Sequence, residues 1–205
     1  MADVTVQDIQ RLRHEAGVGM MDAKKALVET GGDADAALDL LREKGLLQVA
    51  KRAERTAHHG TVGHYIHTQQ GRAVAGVLVD LACETDFVAK SDEFVATADD
   101  IALHISWGDP KWVERREVDD AHLDAKRQEF AAETREEGKP DHLVDKIVEG
   151  KIEKYLKDGS LAEQVFVNPD KFDGTVGDMV TQLAAKMGEN ISIRRFARIA
   201  IGEDS

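Results

Sequence analysis

A chain of 205 residues is long enough for one medium domain, or for a small domain beside a larger one. Its 42% apolar and 32% charged residues are those of a well-solvated globular protein, and a net charge of −12 argues against a broad nucleic-acid surface, because an acidic surface repels phosphate. Cys83 is the single cysteine, which rules out an intramolecular disulfide and suits a reducing cytoplasm, and no apolar run approaches the roughly 18–20 residues of a membrane span.

The opening stretch MADVTVQDIQ has neither the basic nor the apolar region of a signal peptide. Thr5 can cap a first helix, with Asp8 completing an approximate capping box; Val6, Ile9, Leu12 and Ala16 recur at helical spacing and Gly17 is a natural stop. A second helix is predicted from about Met20 to Thr30, with Ala23, Ala26 and Leu27 inward and Gly31 after it. Asp33 can cap a third, with Ala37, Leu38 and Leu41 inward and Gly45 at its end. Together they make a unit of about 40 residues, near the lower limit for folding alone. Residues 46–59, LLQVAKRAERTAHH, read as a basic helical linker whose Lys51, Arg52, Arg55, His58 and His59 either meet an acidic partner or are simply solvated.

Residues 61–68 and 73–83 are predicted strands joined by Gln69-Gln70-Gly71-Arg72. In the second, Val77, Val79, Leu81 and Cys83 share one face, and the rest is so apolar that the strand is either covered on both sides or packed in an interface. Ser91 can cap the next helix, Asp92 and Glu93 suit its first turn, and Phe94, Ala98, Ile101 and Ile105 form its stripe before Gly108 and Pro110 end it. A charged helix at 120–137 and another at 141–157, with Leu143, Ile147 and Tyr155 among its apolar residues, pair as a hairpin. Residues 161–172 are irregular; Thr175 and Asp178 then repeat the capping-box pattern before Val176, Met179, Val180 and Leu183, with Gly188 as the stop. In the last strand, NISIRRFARIAI, alternation assigns Ile191, Ile193, Ala197, Ile199 and Ile201 to one face and Arg194, Phe196 and Arg198 to the other. The fold class is α+β: a three-helix module over 1–45, the linker, and a core over 60–205 with a three-stranded, antiparallel sheet and several helices.

Catalytic chemistry finds little support. Neither Gly138-Lys139 nor Gly150-Lys151 fits a phosphate-binding loop, no second cysteine exists for a structural zinc site, and Cys83 at the end of an apolar run reads as a small buried hydrophobe. His58, His59, His64 and His67 cluster in sequence, but strand alternation sends His64 and His67 to opposite faces. Without a nucleophile, base and orienting group, neither an enzyme nor a cofactor or metal site is expected. Binding features are better. Met20 and Met21 follow a Gly-Val-Gly junction and suit an adaptable protein contact, unless they fill the small module's core. Glu84-Thr85-Asp86-Phe87 sets a large ring in an acidic connection between strand and helix. That ring either closes the core above Leu81 and Phe94 or stands outside as a wedge.

Three segments, in this order, carry a resemblance: LRHEAGVGMMDAKKALVETGGD, CETDFVAKSDEF and GENISIRRFARIAIGE. They resemble the bacterial elongation factor Ts family over most of the chain, with ETDFVAK and GENI-x-I-RRF the most specific parts. The resemblance implies a nucleotide exchange factor for elongation factor Tu, the GTPase that delivers aminoacyl-tRNA to the ribosome. It implies a ubiquitin-associated-like N-terminal module and an α+β core. Partner contacts would lie at Thr85, Asp86, Phe87 and Val88, the Phe87 ring entering an apolar pocket near the partner's magnesium site, and at Arg13, Met20 and Met21. Asp86 would hold the loop by capping or bond the partner's backbone. Long members have a duplicated core and an inserted coiled-coil arm; this chain has one apparent core unit, so a homodimer is expected, with no direct nucleic-acid or membrane partner and a cytoplasmic location. The competing readings are a ubiquitin-like-fold adaptor resting on residues 1–45, which would bind without the core, and a metal-dependent hydrolase, which would carry stoichiometric metal.

Overall fold

The computed structural model describes residues 4–16 and 18–203, the side chains of residues 46 and 47 excepted. Three helices open the chain, α1 (Val6–Ala16), α2 (Met20–Glu29) and α3 (Ala34–Arg52), followed by a hairpin of β1 (His59–Gln69) and β2 (Arg72–Cys83). A single helical turn, α4 (Asp86–Ala89), leads into α5 (Asp92–Gly108), then α6 (Asp120–Glu136), α7 (Asp141–Gly159), α8 (Val176–Met187) and the closing strand β3 (Ser192–Ala200). The fold is α+β, with an antiparallel sheet in the order β1-β2-β3.

Local signals set the helix starts. The Asp8 N–H donates to Thr5 Oγ1 and the Thr5 N–H to Asp8 Oδ2, both at 3.2 Å, and Thr175 and Asp178 make the same reciprocal pair ahead of α8. Ser91 stands at the N-cap of α5, but its hydroxyl donates back to the Val88 carbonyl at 2.8 Å instead of accepting from the helix. Ile9, Leu12, Ala23, Ala26, Leu27 and Ala37 close a small core of their own, from which Val6 is left out. The stop expected at Gly17 lies outside the described residues.

The stop expected at Gly45 is overridden. Helix α3 continues to Arg52, because Gly45 lies against α8: a Cβ built there would stand an ordinary 3.6 Å from the Ala185 Cβ, and Val49 packs on the main core. Tertiary packing of the last turns outweighs the about 1 kcal/mol that a helical glycine costs. The first part of the basic segment is therefore one helix with the N-terminal unit.

Val77, Val79, Leu81 and Cys83 of β2 face Phe94, Ala98, Ile101 and Ile105 of α5 and the buried stripe of α8. Gly63 of β1 allows this approach, since a Cβ there would come within 2.3 Å of the Ala98 backbone. The alternation expected across β3 breaks at a bulge: Asp80 pairs with Arg195 but Leu81 with Ile193, leaving Arg194 unpaired. Ile191 and Ile193 thus turn into the core with Phe196, while Ile199 and Ile201 are exposed on the other side. The second face of β2 is likewise open among the described residues, where Leu78 joins Val62, Ile66 and a 79%-exposed Ile199 in an apolar surface.

Helices α6 and α7 form the expected hairpin, with a separate core of Val144, Val148 and Ile152 against Phe130, Ala131 and Leu156. The buried stripe lies one residue on from Leu143 and Ile147. Trp112 fastens the hairpin's base: its Nε1 donates to Ser160 Oγ at 2.8 Å, its ring meets Tyr155 edge-on, and a Cβ at Gly159 would collide with it at 2.6 Å.

Candidate functional site

Between the end of β2 and α5 the chain makes one helical turn. Thr85 caps it, accepting the Val88 N–H on Oγ1 at 3.3 Å. Val88 and Ala89 are buried in the main core, and a helical turn that buries those positions directs the one before them outward. Phe87 is 83% exposed, a whole ring set in solvent. Asp86 pairs with Lys90 at 2.7 Å; the hydrogen bond and charge of that ammonium hold the Asp86 carboxyl below the usual carboxylate range, with His59 adding a smaller share. Capping therefore falls to Thr85, and Asp86 is engaged along the turn.

The turn is held from the far end of the chain. Glu189, at the corner between α8 and β3, accepts on Oε2 from the N–H groups of Glu84 (3.0 Å) and Thr85 (3.1 Å), and on Oε1 from the Thr85 hydroxyl (2.6 Å). Glu84 reciprocates by accepting the Asn190 N–H at 2.7 Å, and faces Arg55 at 3.5 Å. Asn190 Nδ2 donates to the carbonyls of Ala53 (3.2 Å) and Arg55 (2.6 Å), just beyond α3, and Arg194 donates to the Ala57 carbonyl. Beneath the turn, Cys83 is buried with its Sγ donating to the Thr85 carbonyl at 3.1 Å; burial pushes the thiol up, with Glu189 nearby acting in the same direction. Glu84, Glu189 and Asn190 escape a linear reading. The only sequence signal for them is that they lie within the two motifs, and nothing local pairs position 84 with position 189.

Thr85, Asp86, Phe87 and Val88 thus form one unit, of which Phe87 is the exposed apolar side chain and Val88 the buried anchor. The second group stands elsewhere, on the N-terminal helices. Arg13 in the last turn of α1 is exposed, as are Met20 (41%) and Met21 (64%) at the start of α2, so both methionines lie outside the small core. Among the described residues the histidines do not gather into a metal-binding group: His64 lies 3.3 Å from Asp99, and His67 sits edge-on to Trp107.

A family model described as Elongation factor TS matches residues 34–173. Over 201 residues the chain is 47% identical to the elongation factor Ts of Thermoanaerobacter sp. (strain X514), covering 98% of this chain and 96% of that one. The chain belongs to the elongation factor Ts family. The elongation factor Ts of Syntrophomonas wolfei is 44% identical over 200 residues, covering 98% and 91% of the two chains, and that of Geotalea daltonii 47% over 201 residues, covering 98% and 90%. The elongation factor Ts family match contains the Phe87 turn, but neither α1 and α2 nor the Glu189–Asn190 corner.

Proposed function

We propose that this member of the elongation factor Ts family is a guanine nucleotide exchange factor for elongation factor Tu and not an enzyme. It binds the GDP-bound GTPase, seats Phe87 near the magnesium and phosphate site, and releases GDP. The observation that carries this reading is the Phe87 ring, left almost wholly in solvent on a turn whose neighbours are buried and hydrogen-bonded. Exchange requires the factor to prefer the nucleotide-free GTPase; by linkage, nucleotide then weakens the factor by the same ratio. A ring that fills a pocket opened only by a shift of the partner's helices supplies that difference. Burying a Phe is worth about 1.5–3 kcal/mol, or roughly one to two decades of affinity. A larger exchange effect draws on further contacts, for which the exposed Arg13, Met20 and Met21 make the three-helix unit a docking module for the same GTPase.

The second part of the reading is a homodimer. The open sheet face, with Val62, Ile66, Leu78 and Ile199, is a broad apolar surface on a protein that is otherwise highly charged, and two such faces stack as the layers of a sandwich. The partners are thus the GTPase and a second copy of the chain, in the cytoplasm, with no direct nucleic-acid or membrane partner. Release of labelled GDP from elongation factor Tu tests the central reading. The protein is expected to accelerate release in a concentration-dependent way, and release at the spontaneous rate would overturn it.

A further inference from the structure

We propose that Glu189 and Asn190 are positioning residues for nucleotide exchange. They form a clamp that fixes the direction in which Phe87 meets the GTPase and ties that turn to the exit of the N-terminal module. The proposal rests on the reading of Phe87 as the wedge.

A helix of four residues has no stability of its own, and the largely exposed Phe87 ring has little packing to orient it. Its direction is set by what holds the turn. Val88 and Ala89 anchor one side. The other fixed point is the Glu189 carboxylate, which takes three donors at once: two consecutive backbone N–H groups and the hydroxyl of the capping residue. Bonds to an ionised acceptor are stronger than neutral ones, and these satisfy backbone donors that neither the ending strand nor the starting helix can pair. The Thr85 hydroxyl is a relay, donating to Glu189 while accepting from the Val88 N–H, so a shift of the carboxylate acts directly on the first turn of α4. The return bond from the Asn190 N–H to Glu84 closes the loop, so neither segment can slide past the other.

The same corner reaches the N-terminal module. Asn190 holds the carbonyls of Ala53 and Arg55, and Arg55 lies against Glu84. The two groups proposed to touch the GTPase, one on the α1–α2 junction and one on α4, are therefore referenced to two adjacent residues near the other end of the chain. A wedge that arrives already oriented avoids the ordering cost of fixing a loose turn on binding.

A merely structural network would lower stability and act independently of the ring, whereas a positioning network acts through the ring. The test is a cycle of Glu189→Ala, Phe87→Ala and the double variant in GDP release from elongation factor Tu, with Glu189→Gln as the conservative variant. Glu189→Ala is expected to stay folded, to lose amide-exchange protection at Glu84 and Thr85 in the free protein, and to slow release by about tenfold. Glu189→Gln, which can still offer one oxygen to both N–H groups, is expected to recover release to within about threefold of wild type. The double variant is expected to be no slower than Phe87→Ala alone. Should Glu189→Ala fail to fold, Glu189→Asp, with its charge kept and its reach shortened, takes its place in the cycle, with the same coupling to Phe87 expected. Unchanged release in the Glu189 variants beside a slow Phe87→Ala overturns the clamp and leaves the wedge standing, and so do losses that simply multiply in the double variant. Wild-type release from Phe87→Ala overturns the wedge, and the exchange role of the clamp with it.

Discussion

Phe87 on α4 and Phe94 on α5 are near neighbours in the chain, yet Phe94 is fully buried while Phe87 is 83% exposed. Phe94 sits in the first turn of a long helix whose apolar stripe faces β2, so its ring adds to a continuous core. Phe87 sits on a single turn that spends its two inward positions on Val88 and Ala89. Residue type does not separate the two; the length of the helix that carries each and the polar ties around it do. The α4 side is fixed by charged hydrogen bonds to Glu189 and leaves its largest apolar group unused in the free protein, whereas the α5 side is fixed by packing.

The contrast can be broken hardest at Phe94. Phe94→Ala is expected to lose about 3–5 kcal/mol of stability in urea unfolding, with GDP release lost only in step with folding. A loss below about 1 kcal/mol would mean that the α5 side is not the packed one. The open sheet face extends the comparison to a second apolar surface left in solvent, flat where Phe87 is a single ring. Ile199→Glu is expected to convert a sedimenting dimer into a 22.5 kDa monomer at micromolar concentration, with the monomer's own stability changed by no more than about 0.5 kcal/mol. A dimer that survives the charge would place its interface elsewhere.

The smallest effect is a pH dependence at the far end of α5. His104 is buried; its Nδ1 accepts the Val167 N–H at 3.1 Å, so Nε2 carries the proton and donates to Gln164 Oε1 at 2.9 Å. Burial lowers its pKa, although the Gln164 bond opposes this, and Lys157, Asp158 and Glu163 line the adjoining groove. The folded state holds the neutral ring while an unfolded histidine takes a proton near about pH 6.5. Stability from this group is thus full above about pH 6.5 and falls as the pH drops below it. Melting temperatures between about pH 8 and 5 should show that decline in wild type and a flatter profile in His104→Gln, with GDP release per folded molecule unaffected. A profile identical in both would remove His104 as the source.

Much of this arrangement is legible from local sequence. The Thr5–Asp8 and Thr175–Asp178 boxes, the α5 stripe and the β1–β2 hairpin depend on residues within a few positions of one another, and the sequence periodicity carries them. What escapes depends on distant partners. Gly45 reads as a stop until α8 is in place to cover it. Arg194 carries no glycine or proline to announce the bulge that turns Ile193 inward. The role expected of Thr85, Asp86, Phe87 and Val88 rests on their resemblance to a family motif; the residues alone leave the ring either core or wedge. The exchange of bonds between Glu84 and the Glu189–Asn190 corner joins the two motifs across the whole core, and no linear spacing contains it.

A single substitution at Phe87 separates folding from exchange. Phe87→Ala should unfold within about 0.5 kcal/mol of wild type, since an exposed side chain contributes little to folding. The same variant should release GDP from elongation factor Tu at least about tenfold more slowly, matching about 1.5–3 kcal/mol of lost differential contact. A variant equally stable and equally fast would contradict the wedge, and one that lost about 3–5 kcal/mol of stability would return Phe87 to the core.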